Sequence, residues 1–104
     1  MRHNLISYQT KPGRAEENRA LIEAVFAELA VAKPEKLAYL VLEAEDGTFV
    51  HFVTLPTDPE NNPMRSIAAF RAFTANGRER QVDEPVVKSA RIVGNYRMLA
   101  EHIR

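Results

Sequence analysis

The chain alternates between short apolar segments with a two-residue period and longer segments with a helical period. The two-residue period is typical of strands with one buried face. Asp46 and Gly47 favour a type I′ hairpin turn, which needs two residues that tolerate positive φ, and Gly94 is a candidate bulge in the last strand. The predicted strands are residues 4–9, 37–44, 48–55 and 86–98.

Two other segments repeat apolar residues at the spacing of one helical face. The first helix is predicted to begin near Arg14, with Gly13 as N-cap, and to end before Pro34, which cannot continue a helix. The second helix follows Asn62 and Pro63, which suit a cap and a first helical position. The apolar positions are Leu21, Ile22, Val25, Phe26 and Leu29 in the first helix and Ile67, Phe70 and Phe73 in the second.

The resulting order of elements is β-α-β-β-α-β, which predicts an α+β, ferredoxin-like fold. In this fold a four-stranded antiparallel sheet carries both helices on one face. The chain has 104 residues, a length that suits one domain over residues 1–104.

Each strand has two sets of side chains, which point to opposite faces of the sheet. The more apolar sets are predicted to lie under the helices, and the mixed sets to lie on the open face. Since no third layer covers that face, we expect a homodimer in which two such faces meet and form a dimeric α/β barrel. The helix-facing set is Ile6, Tyr8, Leu40, Leu42, Val50, Phe52, Ala90 and Ile92. The open set is Leu5, Ser7, Tyr39, Val41, Phe49, His51, Val53, Ser89, Arg91 and Val93.

The amino-acid composition excludes several classes of partner, catalytic group and metal site. Lys plus Arg equals Asp plus Glu, 14 each, and no basic run marks a nucleic-acid surface. The absence of cysteine excludes disulfides, thiolate catalysis and Cys-based metal sites. No segment has the apolar length of a membrane span or a signal peptide. We therefore expect a cytoplasmic protein without nucleic-acid or membrane partners.

His51 and Arg91 are the candidate catalytic residues. Both fall in the mixed set, where an imidazole can act as a general base near neutral pH and a guanidinium can hold a carboxylate or phenolate. The alternatives are structural: His51 bonded to a neighbour, and Arg91 directed to the rim or paired with Glu43.

Six further residues, with hydrogen-bonding, aromatic or aliphatic side chains, are predicted to line a cavity that the family resemblance described below implies. Phe70 and Phe73 could contact a ring-shaped ligand or belong to the core. The cluster Arg78-Glu79-Arg80 is interpreted as solvated surface. His3, His51 and His102 lack the spacing of a metal site, so no metal and no cofactor are expected. The cavity-lining candidates are Ser7, Tyr39, Phe49, Val53, Phe70 and Phe73.

The KPGRAEE opening of the first helix, the hairpin and the Pro-rich loop PTDPENNP resemble the dimeric α/β-barrel superfamily. Within it, the chain is most similar to small antibiotic-biosynthesis-monooxygenase-like proteins. The resemblance implies a dimer, a cavity beside the sheet and cofactor-free oxidation of an electron-rich aromatic substrate. Two features depart from it: the chain has no Trp, and no His lies between Asn62 and Gln81 where haem-degrading members place an axial ligand.

Two functions stay open at this point. The first is a cofactor-independent monooxygenase acting on an aromatic or polyketide-like molecule. In it His51 takes a proton and Arg91 stabilises the anion. The alternative is a non-catalytic module that binds a small ligand or serves as a dimeric accessory subunit. Fold alone does not choose between them.

Overall fold

The computed structural model describes residues 1–99. Its four strands form one antiparallel sheet in the order β2-β3-β1-β4, and this arrangement confirms the predicted ferredoxin-like fold. The strands are β1 (Arg2–Gln9), β2 (Ala38–Glu43), β3 (Thr48–Leu55) and β4 (Val86–Ala90). The helices are α1 (Ala15–Ala32), α2 (Ala68–Ala75) and α3 (Gly77–Arg80), and the 3₁₀ turns are Pro59–Asn61 and Pro63–Ser66.

The ends of α1 follow from local chemistry. Arg14, rather than the predicted Gly13, is the N-cap; Gly13 supplies the positive φ of +80° in the preceding turn. Lys33 ends the helix in the left-handed conformation, and its N–H donates to the carbonyl of Leu29 at 2.8 Å. The predicted stop before Pro34 is confirmed.

The hairpin between β2 and β3 has a different turn from the predicted one. Among the described residues of this loop only Gly47 has positive φ, +86°, whereas a type I′ turn needs two. The turn closes through the Gly47 N–H and the Ala44 carbonyl at 3.2 Å, and Thr48 N–H bonds the Asp46 carboxylate at 3.0 Å. The side chain of Asp46 therefore stabilises the turn, and Gly47 alone supplies the positive φ.

The last strand is shorter than predicted, and its partner explains the difference. β4 pairs with β1, and Ala90 lies opposite His3. Because β1 begins at Arg2, β4 has almost no further backbone to pair with beyond Ala90. Arg91 and Gly94 therefore lie outside any strand, and the predicted bulge at Gly94 is wrong. The sequence also predicts that the tail, residues 99–104, frays or turns helical; beyond Leu99 this tail lies outside the described residues.

Strand register corrects the predicted faces of the sheet. Tyr8 lies opposite Phe49, and Ile6 lies opposite both His51 and Val87. Directly opposed residues share a face, so these side chains all lie on the face that the helices cover. The prediction was right for β1 and wrong for the other three strands. An apolar set on each strand does not reveal which sets of neighbouring strands meet.

The core lies between α1, α2 and the covered face of the sheet. Phe49 and Val53, predicted to lie on the open face, are 1% and 5% exposed and belong to this core. The buried apolar residues are Tyr8, Ile22, Val25, Phe49, Val53, Leu55, Met64, Ile67 and Phe73.

The outer face of the sheet is still apolar and partly open, although its residues are not the predicted ones. Leu40 and Leu42 of β2, Leu5 of β1 and Val86 of β4 are each more than one third exposed. The three helices lie on the other face, so no helix within residues 1–99 covers these side chains.

Within residues 1–99, no helix combines the length and the apolar character needed to cross a bilayer.

Candidate functional site

A cavity of about 320 Å³ lies between the sheet and helices α2 and α3. This volume falls at the lower end of the range of small-molecule sites. Its walls are mostly apolar and aromatic. Hydroxyl and ring-nitrogen groups lie on the sheet side, and Thr74, Arg78 and Gln81 add polar groups beside α2 and α3. Its lining residues include Ile6, Tyr8, Tyr39, His51, Phe70 and Phe73.

His51 has a tyrosine hydroxyl on each of its ring nitrogens. The Tyr8 hydroxyl lies 2.8 Å from Nε2, and the Tyr39 hydroxyl lies 2.6 Å from Nδ1. The ring of Phe73 lies 5.6 Å from the imidazole, centroid to centroid. His51 is 3% exposed, so α2 and the two tyrosines hold its ring in one orientation at the cavity wall.

Burial controls the protonation of this cluster. It lowers the pKa of His51 to about 4, because a charged imidazolium is poorly solvated there. It raises the pKa of Tyr8 to about 12, against the smaller opposing effects of the Asn18 hydrogen bond and the Arg80 charge. Burial also raises the pKa of Tyr39. At neutral pH all three groups are therefore uncharged.

Asn18 and Arg80 extend the cluster away from the cavity. The Asn18 amide donates to the Tyr8 hydroxyl at 2.9 Å, and Arg80 Nε donates to Asn18 Oδ1 at 2.9 Å. Arg80 is 1% exposed, and its carbon Cζ lies 5.1 Å from the centre of the Phe73 ring. The interpretation of Arg80 as solvated surface is therefore wrong.

Sequence reasoning missed both of these residues. Asn18 had a usable signal, because it lies four and seven positions before Ile22 and Val25 and so shares their buried helical face. No sequence signal indicated that Arg80 is buried, since it belongs to a short charged segment that is typical of a protein surface.

The predicted site residues fall into two groups. Tyr39, His51, Phe70 and Phe73 meet around the cavity. The others lie elsewhere: Phe49 and Val53 in the core, Ser7 on the outer face, and Arg91 exposed beyond the end of β4.

A second depression of about 340 Å³ lies at the C-terminal end of α1. It is shallower and shares only Tyr39 with the first cavity among the lining residues. Its walls include Phe26, Leu29 and Leu37, and Lys33 supplies its one charged side chain. The convergent hydrogen-bonding groups lie in the first cavity, which is therefore the candidate site.

In the described part of the chain, no group of three or more His, Asp or Glu side chains is arranged to hold a metal ion. His3 bonds the Thr54 hydroxyl through Nδ1 at 2.8 Å. His102 lies outside the described residues.

The fold matches several solved structures. A Caulobacter crescentus protein, provisionally described as an antibiotic biosynthesis monooxygenase, is 15% identical, with a TM-score of 0.69 over 89% of this chain and 90% of that one. A Mycobacterium tuberculosis protein is 14% identical, with a TM-score of 0.70 over 90% and 96%. A third, described as an antibiotic biosynthesis monooxygenase, is 19% identical, with a TM-score of 0.66 over 90% and 100%.

The TM-scores establish a common fold, and at that level they confirm the resemblance seen in the sequence. No protein-family model matches the chain, and no curated protein sequence matches it.

Proposed function

We propose that this protein binds a small aromatic molecule in the His51 cavity and oxidises it with molecular oxygen, without a cofactor. The observation that carries the proposal is the pair of tyrosine hydroxyls on His51, at the wall of a mostly apolar cavity. The fold shared with proteins described as antibiotic biosynthesis monooxygenases supports the same reaction class. That support is an analogy of fold, and the site carries the argument.

The shape of the cavity suits a ring-shaped ligand. Phe70 and Phe73 lie on the helix side of the cavity, and the tyrosine hydroxyls lie beside the imidazole on the sheet side, while Arg78 and Gln81 add polar groups near α3. Such a site orients a ligand that has an apolar ring system and oxygen at one edge. A phenol or an anthrone-like molecule has this distribution of groups.

The proposed reaction balances without a metal or flavin. A ring CH₂ group conjugated with a carbonyl loses a proton to solvent and becomes an enolate. Oxygen adds to that carbon and gives a peroxide anion, which takes up a proton. Loss of water then leaves a new carbonyl group. One oxygen atom of O₂ is thus retained in the product, the other leaves as water, and the substrate supplies both electron pairs.

His51 acts in this proposal through Tyr39 and does not itself store the proton. Its pKa of about 4 makes the imidazole a weak base at pH 7. A hydrogen bond that stabilises the enolate oxygen instead makes the bound substrate more acidic.

Arg91 was predicted to hold this anion. It does not line the cavity within residues 1–99, and its role stays a prediction.

Oxygen uptake tests the proposal. One- and two-ring phenols and anthrones are screened for protein-dependent consumption of oxygen and formation of the carbonyl product. Tyr39→Phe is expected to lower kcat about 10²-fold, the usual cost of one oxyanion donor. Tyr96→Phe is the matched control, because Tyr96 is 78% exposed. Unchanged turnover in folded Tyr39→Phe and His51→Gln proteins would contradict the assignment.

The second candidate function is a non-catalytic module that binds a small ligand. One observation favours it: both nitrogens of His51 are already bonded to protein groups, as in a purely structural cluster. A ligand that saturates the wild-type protein and is recovered unchanged after long incubation in air would support this candidate over the enzyme.

The homodimer is also part of the proposal. The partly open outer face carries Leu5, Leu40, Leu42 and Val86, and a second copy of the same face would shelter them. The cytoplasmic location predicted from the sequence stays a prediction.

A further inference from the structure

We infer that Arg80 and Asn18 set the direction of the hydrogen bonds around His51, so that His51 carries its proton on Nδ1 and Tyr39 presents its hydroxyl hydrogen to a ligand oxygen. We call Arg80, Asn18, Tyr8, His51 and Tyr39 the Arg80–Tyr39 chain. Arg80 and Asn18 are positioning residues in it. The direction of the bonds follows from the protein alone, whereas the ligand class rests on the proposed function.

The direction begins at Arg80. A guanidinium has only donors, so the Asn18 side-chain atom that lies 2.9 Å from Arg80 Nε must be the oxygen. The amide nitrogen of Asn18 then faces the Tyr8 hydroxyl, 2.9 Å away, and donates to it. The chemistry of Arg80 thereby fixes which way the Asn18 amide points.

The Tyr8 hydroxyl determines which nitrogen of His51 accepts a hydrogen bond. Its oxygen accepts from Asn18, so its own hydrogen needs another acceptor, and within residues 1–99 the acceptor in reach is His51 Nε2 at 2.8 Å. Tyr8 is 7% exposed, and a buried hydroxyl without an acceptor is costly. Nε2 therefore accepts, and the proton of the neutral imidazole lies on Nδ1.

Tyr39 is the end of the chain at the cavity. His51 Nδ1–H donates to the Tyr39 oxygen across 2.6 Å. The Tyr39 hydroxyl hydrogen then has no acceptor among the described residues. Both His51 and Tyr39 line the cavity, so this hydrogen is available to an oxygen of a ligand.

The charge of Arg80 indicates the class of ligand. Arg80 is buried, and its other bonds go to the neutral carbonyls of Asn76 and Phe73, at 3.0 and 2.6 Å. In the described part of the chain it forms no salt bridge. Each hydrogen bond along the chain, from Arg80 through Asn18 and Tyr8 to Tyr39, is donated in the direction of the cavity, an arrangement that favours a negative oxygen at the far end. The ligand class is therefore a small aromatic molecule with a phenolate or enolate oxygen.

Nitrogen NMR of the imidazole groups tests the direction directly. In ¹⁵N-labelled wild-type protein at pH 7, His51 is expected to show a protonated Nδ1 and an unprotonated Nε2; the signals are assigned by their loss in His51→Gln. A protonated Nε2 in the wild-type protein would overturn the inference. This measurement needs no ligand and no variant other than the one used for assignment.

Asn18→Asp should reverse the chain while keeping its shape. A carboxylate only accepts hydrogen bonds. One oxygen would accept from Arg80 Nε, as the amide oxygen does, and the other would accept from the Tyr8 hydroxyl. Nε2–H must then donate to Tyr8, and Tyr39 must donate to Nδ1. The expected result is a switch of the His51 proton to Nε2. Asn62→Asp is the matched control, because an aspartate keeps the cap that the Asn62 oxygen provides to Met64 N–H.

The phenol 4-nitrophenol serves as a ligand probe because its phenolate absorbs visible light. Wild-type protein and Asn62→Asp are expected to bind the phenolate about tenfold more tightly than the neutral phenol, since a hydrogen bond to a charged acceptor is the stronger one. Asn18→Asp should lose this preference. If Asn18→Asp does not fold, Tyr8→Phe replaces it, with loss of both the Nδ1–H form and the phenolate preference expected.

The outcomes separate this inference from the proposed function. A protonated Nδ1 that switches in Asn18→Asp, together with phenolate binding but no oxygen uptake, would support the inference and reject the monooxygenase. A His51 proton position that is the same in Asn18→Asp and wild type would reject the inference, whatever the activity. Equal binding of phenol and phenolate by wild-type protein would reject the ligand class.

Discussion

The two faces of the sheet differ in a way that their hydrophobicity does not suggest. The covered face holds a histidine and two tyrosines among its apolar residues, and His51 there is only 3% exposed. The outer face holds aliphatic residues beside polar ones such as Ser7 and Lys88, and Leu42 on it is 57% exposed. Burial in this chain therefore follows the position of the helices, and the polar groups beneath them are accommodated because they bond one another.

The largest effect is expected from a substitution on the outer face that changes the oligomeric state. If two outer faces meet, Leu42→Glu places a carboxylate in the interface and should convert the dimer to a monomer. Light scattering coupled to gel filtration measures the mass. Val31→Glu is the matched control, because Val31 is an 84% exposed aliphatic residue on α1. A wild-type protein that is monomeric at micromolar concentration would show that the outer face faces water.

Truncation of one phenylalanine on each face compares their contributions to folding. Phe49→Ala should lower the free energy of unfolding by about 3–5 kcal/mol, because it removes a ring that is 1% exposed in the core. Phe52→Ala, on the outer face, should cost less in the monomer. Urea denaturation at low protein concentration measures both. Equal losses would mean that the two faces are equally buried in solution.

The smallest effect expected is the pH dependence of the covered face. The pKa of His51 is about 4 in the folded protein and near 6.5 when unfolded, so between these values the unfolded chain binds a proton that the folded protein does not. The free energy of unfolding should therefore fall by about 3 kcal/mol as pH drops from 6.5 to 4. Urea denaturation across this range, with His51→Gln for comparison, isolates the contribution. An equal pH dependence in wild type and variant would contradict it.

Local patterns in the sequence were enough to predict most elements. The run from Thr48 to Leu55 is rich in β-branched and aromatic residues and lies between Gly47 and Pro56, so its bounds as β3 were predicted correctly. The faces of the sheet were predicted wrongly for β3, because the alternation of side chains within one strand does not show which set of the neighbouring strand shares its face. Only the register, with Tyr8 opposite Phe49 and Ile6 opposite His51, decides which sets meet.

In the candidate site, too, the sequence predicted local features and did not predict contacts between distant segments. His51 and Tyr39 are 12 positions apart on one hairpin, whereas the Tyr8 bond to His51 spans 43 positions and the Arg80 bond to Asn18 spans 62. Contacts at such separations depend on the packing of α1 and α3 against the sheet. The imidazole was therefore identified from sequence, but the groups that set its proton were not.

The tyrosines also make the site visible to spectroscopy. The chain has three tyrosines and no tryptophan, and two of the three touch His51 while Tyr96 is exposed. In a Tyr96→Phe protein, intrinsic fluorescence would arise only beside the imidazole. Occupancy of the cavity could then be followed by emission intensity, with no dye attached.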